Sequence, residues 1–349
     1  PDTQAVIASL EAVMDANPDH PLALHLYIHA LEASSNAAKA EPAADRLANL
    51  VPGSGHLVHM PSHIYFRVGR YQESALANIR AAEVDEAYIA QCNAQGFYPA
   101  LYYPHNIHFL WASATMQGQS ALSLDSARRV VANVRVEQVE QFPTIQFFRT
   151  VPMLSLVRFA RWEEILEERE PYEPFAFARA IWHYGRGVAH AALGDAGAAR
   201  VELAAIEGLE PEIDEIFMGN VYPARDLLEI AKSLLRGEMA YRSGDAANAV
   251  LAFEEAVALQ DALPYTEPPF WYYPTRQSLG AALLASNRLA EAQAVFEEDL
   301  EQYPMNGWSM YGLAEALRRQ GDETGAEHVT ARFKTVWQFA DVSLATSIL

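Results

Sequence analysis

Eleven histidines stand among 349 residues, and seven of them have spacings that could bring their rings together. His25 and His29 are four apart, His56, His59 and His63 are separated by three and four, and His105 and His108 by three. On a helix these spacings stack side chains on one face. Neutral imidazole is the commonest nitrogen donor to metal ions, and two imidazoles four apart on a helix can close on one cation. Left uncoordinated, such a cluster repels itself as it protonates. The pattern predicts a transition-metal site. Donors that are nitrogen throughout, apart from the single carboxylate Glu32, suit Cu(II) or Zn(II) better than Mg or Ca, which take oxygen ligands. Met60 and Met116 stand nearby in sequence and would tolerate copper, so copper is expected first and zinc next. If catalysis accompanies binding, Glu32 is the candidate base and Tyr103, Arg67 and Arg158 its neighbours.

The elements that must hold these rings are legible from turn signals. Gly69 closes one helical stretch, and the run Gln72 to Ala82 after it is rich in helix formers without a breaker. The same punctuation recurs at Gly118-Gln119, Arg161-Trp162, Gly194-Asp195, Gly244-Asp245, Asn287-Arg288 and Gly321-Asp322. Five residues after the turn stands a small residue at Ser74, Ser123, Ala199, Ala249, Ala292 and Ala326. Seven before it there is another at Ser62, Gly187, Gly237, Gly280 and Ala314, where a close helix crossing needs one. Leu154 and Leu166 break both rules around Arg161, and an earlier unit fits with Ser35 as its turn.

On these residues the chain resembles the tetratricopeptide repeat family, most clearly over Arg276 to Pro304 and Trp308 to Phe333. The resemblance implies an all-α fold, a right-handed superhelical solenoid of about eight helix pairs. The first helix of each pair would line a concave groove. One solenoid then spans residues 1–349, with a histidine-rich N-terminal half at 20–118 and regular repeats at 225–340. Such repeats host many roles, so fold alone assigns none. Long inserts are expected at Asp85 to Pro104, Glu207 to Ala224 and Asp261 to Tyr273, functional or mobile, with Tyr102-Tyr103-Pro104 and Tyr272-Tyr273-Pro274 packing as aromatic rims.

Counting back from each turn sorts the first helices into two stripes. In the last repeat Met310, Leu313, Ala314 and Leu317 form the core stripe, while Trp308, Tyr311, Glu315 and Arg318 face the groove. The same groove register holds Leu22, His25, His29 and Glu32 in the first unit, His56, His59 and His63 in the second, and His105 and His108 in the third. Seven histidines thus occupy nine such positions where composition predicts about 0.3. His183 and His190 fall on the core stripe and read as hydrogen-bonded packing residues; His20 and His328 receive no role. Pro61 fits a helical first turn, which would put His56 and His59 just before regular helix and leave His25, His29, His63 and His108 as the firmest ligands.

The competing reading is a scaffold without metal that binds a peptide or protein along the groove, with Trp308, Tyr311, Glu315, Arg318 and Arg319 as anchors. A metal-free hydrolase lacks support: there is no Gly-x-Ser-x-Gly motif and no phosphate loop, and Cys92 is expected in a polar loop away from any histidine. As the single cysteine, Cys92 allows neither an internal disulfide nor a thiolate metal cluster. The net charge of −20 argues against nucleic acid as a partner, and no run of 18 uncharged apolar residues offers a membrane span. The strings at 26–30, 59–64 and 105–110 resemble those of large bacterial repeat proteins of unassigned function. That resemblance implies a longer parent with repeats before Pro1, often behind an export signal, and supplies no activity.

Overall fold

A computed structural model of the chain describes residues 2–92, 98–217 and 222–349. Among the described residues a leading helix, Asp2–Ala16, is followed by eight antiparallel pairs. Their first helices are Pro21–Glu32, Gly55–His59 continued by Pro61–Arg67, Tyr103–Met116, Phe147–Arg158, Ala176–Ala192, Ala224–Arg242, Arg276–Ala285 and Gly307–Gln320. Each is answered by a second helix that begins a few residues later, as in Tyr71–Cys92, Ser120–Ala132 and Leu289–Gln302. No strand occurs among the described residues.

The turns share one backbone device. Gly69, Gly118, Gly194, Gly244 and Gly321 all take positive φ, the left-handed conformation that ends a helix and reverses the chain. Asn287 does the same at φ 58°. In the fourth unit the left-handed residue is Ala160, not Arg161, so the turn lies one residue earlier than its sequence suggests. The first turn departs further: Ser35 is not left-handed, and a short 3-10 segment, Ala37–Ala40, carries the chain to Glu41–Leu47.

The small residues behave as their spacing requires. Ser74, Ser123, Ala199, Ala249 and Ala292 have no exposed surface. A Cβ on Gly237 would lie 2.3 Å from the Phe253 ring and one on Gly280 the same distance from Phe296, so these helices cross in contact. Among the described residues, eight pairs stacked in succession, several through such contacts, define a tetratricopeptide-like solenoid.

Two inserts are helix instead of loop. Asp85 to Cys92 extends the second helix of unit two, because no breaker interrupts its helix formers, and Cys92 is an exposed residue on the last turn of that helix. Likewise Ala196–Phe217 runs through Pro211. Within these inserts residues 93–97 and 218–221 lie outside the described residues, and Tyr98–Tyr102 forms a wide helical turn leading into Tyr103–Met116. The third insert, Asp261 to Tyr273, is loop from residue 262 onward, and it folds inward.

The array curls until its end meets its beginning. Pro304 and Met305 abut Gly69, and Trp337 packs beside Gly118. Asp341 accepts hydrogen bonds from the backbone N–H groups of Ser120 and Ala121, at 2.6 and 2.9 Å. Trp308 therefore sits fully buried: its indole donates to the Thr115 carbonyl at 3.2 Å and lies 3.6 Å from the Arg158 guanidinium carbon. It closes the ring and is not available as a peptide anchor. Arg319 is likewise engaged, donating to the Leu284 carbonyl and the Asn287 side chain.

Candidate metal centre

The backbone stays helical through Met60, whose amide donates to the His56 carbonyl at 3.0 Å, so Pro61 does not interrupt the histidine face. His56, His59 and His63 consequently project together, with His59 and His63 buried. His25 and His29 reach them from the preceding hairpin and His105 from the following one.

At the centre the Nε2 atoms of His59 and His63 are 2.8 Å apart, and His105 Nε2 is 3.2 Å from that of His59. One ring nitrogen from each of the three lies within 4.8 Å of the others. Nδ1 of His59 faces the Asn78 side-chain oxygen at 2.6 Å. The orientation of Asn78 is set in turn, since its amide nitrogen donates to the Ser74 carbonyl at 2.9 Å. An amide oxygen can only accept, and it is closer than the Ser62 hydroxyl at 3.2 Å, so His59 carries its proton on Nδ1 and turns a bare Nε2 lone pair toward the centre.

His63 is oriented by carboxylates. Its Nδ1 lies 2.7 Å from Glu32 and 3.1 Å from Glu267. One N–H cannot point straight at both, and no aligned hydrogen bond satisfies these atoms. Burial alone would lower the basicity of His63, but the two carboxylates outweigh it and raise the ring to about 9. For Glu32, burial acts upward, but the His29 hydrogen bond and the charged His63 ring beside it prevail, holding it at about 2. Burial pushes Glu267 upward, opposed by His63. His59 and His105 are driven well below the ordinary histidine range, first by burial and then by the charge of His63, so they are neutral donors.

Nearer the mouth His25 Nε2 and His56 Nε2 are 3.2 Å apart, with the His29 ring 4.8 Å from that of His25. His108 does not join either group. It stacks on Trp111 at 5.0 Å and meets Phe147 and Phe148, and burial pushes it down to about 3. Residues three apart on a helix diverge by about 60°, so His105 turns to unit two and His108 to unit four.

Several expected neighbours lie elsewhere. The Tyr103 hydroxyl donates to Glu86, Arg158 is committed to Trp308 and Gln277, and only Arg67 approaches the centre, 3.9 Å from Glu267. Met60 and Met116 are buried in separate hydrophobic cores. Glu32 is held as an anion between two rings, which makes it a positioning carboxylate and a poor base. As expected, His183 is a packing residue, hydrogen-bonded to Glu202 at 2.6 Å, with His190 3.8 Å from the same carboxylate.

Two residues at the centre escaped the sequence. Asn78 sits mid-helix with nothing to distinguish it. Glu267 is 204 positions from His63, yet its insert was marked by its length, the signal that could have found it. That insert also walls a cavity of about 170 Å³ lined by His105, His108, Trp111, Phe147, Tyr222 and Glu267 among others.

No protein-family model matches the chain, and no curated protein matches it either. Among solved structures it is similar to the TPR domain of P58(IPK), at 12% identity and TM-score 0.30, covering 96% of this chain and 89% of that one. Similarity to yeast Tom70 is at 13% identity and TM-score 0.39, covering 96% and 82%. The Cut9–Hcn1 tetramer of the APC/C gives 11% identity and TM-score 0.29, covering 96% and 90%. The fold assignment rests on the hairpins themselves. Among the described residues no helix is long and apolar enough to cross a membrane.

Proposed function

We propose that the channel binds a transition-metal ion, Cu(II) or Zn(II), through His59, His63 and His105, for metal handling or metal-dependent chemistry. The observation that carries this reading is the outer support of the rings. An amide oxygen fixes the tautomer of His59 and carboxylates hold the far nitrogen of His63, the arrangement by which proteins aim imidazoles at a metal. A packing histidine needs one partner, whereas here three ring nitrogens converge on one another. Binding would displace the proton that His63 shares with its neighbours. Three protein ligands leave a coordination position open. The cavity beside His105 has room for a small molecule there. With Met60 and Met116 in the cores, the thioether argument for copper lapses, and the choice between the two ions falls to imidazole preference.

Metal analysis of protein purified without a histidine tag, set against a His59→Ala/His105→Ala variant, tests this. At least one tightly held ion in the parent and loss of one in the variant is the expected result. Equal, negligible metal in both after exposure to Cu(II) and Zn(II) would retire the proposal.

The scaffold reading has one observation in its favour. The chain's own Ser347 lies buried against the channel wall, donating to the Gln277 carbonyl at 2.8 Å, while Arg242 donates to the Leu349 carbonyl. A surface that holds the chain's own tail would take a partner peptide in the same way. Under this reading a partner captured from solution would stay bound in the presence of chelator.

A further inference from the structure

We infer that His25, His29 and His56 form a second cation site at the mouth of the channel, joined to the inner one by Glu32. One ring nitrogen from each of these three lies within 4.8 Å of the others, and they come from two different hairpins. Spacing along one helix explains His25 with His29; it does not explain why His56 turns its Nε2 to within 3.2 Å of His25 Nε2. The second observation is the carboxylate. Glu32 Oε1 meets His29 Nδ1 at 3.1 Å while its Oε2 meets His63 Nδ1 at 2.7 Å. A single side chain thus meets Nδ1 of one ring in each trio, His63 in the inner one and His29 in the outer.

The two sites differ in access. The His29 side chain is 40% exposed and that of His63 7%, so an ion at the mouth exchanges with solvent while one inside is enclosed. The rings are also close, His56 and His59 having centroids 6.1 Å apart. Two dications this near repel, and the shared anion Glu32 reduces that repulsion. The outer site is accordingly the weaker and the faster. It is the entry point for an ion travelling to the inner trio.

This inference rests on the inner-site reading only for the role of Glu32, and stoichiometry separates the two. Equilibrium dialysis of the tag-free full chain against Zn(II), and separately Cu(II), is expected to give two ions per chain, released in a fast and a slow phase to a chromophoric chelator. His25→Ala/His56→Ala should retain one ion and lose the fast phase. His59→Ala/His105→Ala should retain only the fast one, and Glu32→Gln should weaken both phases roughly tenfold or more. One ion in the parent, released in a single slow phase, would overturn the second site and leave the inner one standing; no ion would remove both. The biphasic release needs only the parent protein, so a variant that fails to fold does not blunt the test.

Discussion

Asn78 accepts from His59 across 2.6 Å and so decides which nitrogen of that ring faces its neighbours. Replacing Asn78 by Ala leaves only the Ser62 hydroxyl, 3.2 Å from the same nitrogen and able to donate or accept, so either tautomer can form. Metal affinity should fall about 10- to 100-fold, as is typical when the outer partner of a ligating histidine is lost. Isothermal titration of Zn(II) into parent and variant measures this; unchanged affinity with an intact fold would show that the tautomer is fixed otherwise.

Glu267 reaches His63 from the far side of the ring of repeats, at 3.1 Å. Glu267→Gln keeps the shape and removes the charge. We expect metal affinity to drop by about 10-fold or more, with near-parental circular dichroism. If affinity holds and thermal stability alone changes, the carboxylate is structural.

His108 gives the acid sensitivity a defined sign. Its folded value is about 3 because it is buried among aromatic rings, against an ordinary value of 6.5. The folded ring is depressed, so its stabilising contribution is fully present above pH 6.5 and is lost as pH falls toward 3, where the unfolded chain takes up the proton first. At pH 5 that loss is about 2 kcal/mol. His108→Phe should therefore show a smaller fall in urea midpoint between pH 7 and pH 5 than the parent, while binding the same amount of metal.

Gly55 opens the histidine helix under a buried carboxylate. A Cβ there would lie 1.9 Å from Asp85 Oδ1, and Asp85 is pinned by the Tyr98 hydroxyl at 2.6 Å and the Asn106 amide at 2.8 Å. Gly55→Ala must push the helix or break that network, at about 1–3 kcal/mol. The expected reading is a lower unfolding midpoint together with weaker metal binding, since His56 and His59 ride on the displaced turn. Loss of stability with parental affinity would mean that the helix moves as a rigid piece.

Much of this arrangement was legible in local spacing. The stripe Met310, Leu313, Ala314 and Leu317 is buried as its register requires, and Ser74 and Ser123 occupy the close crossings their positions imply. Six of the seven histidines on the groove register converge. Spacing could not separate His105 from His108, because the two differ only by which neighbouring hairpin each ring meets.

What the sequence determined by itself is what a few turns of helix encode: where hairpins reverse, which faces are apolar, and that histidines crowd one side. The closing of the ring was decided only in three dimensions, because small rotations at each crossing add up over eight units. That closure buries Trp308 and leaves room for a loop to bring Glu267 to His63. No periodicity carries such information, since contacts between residues two hundred positions apart depend on the summed geometry of everything between them.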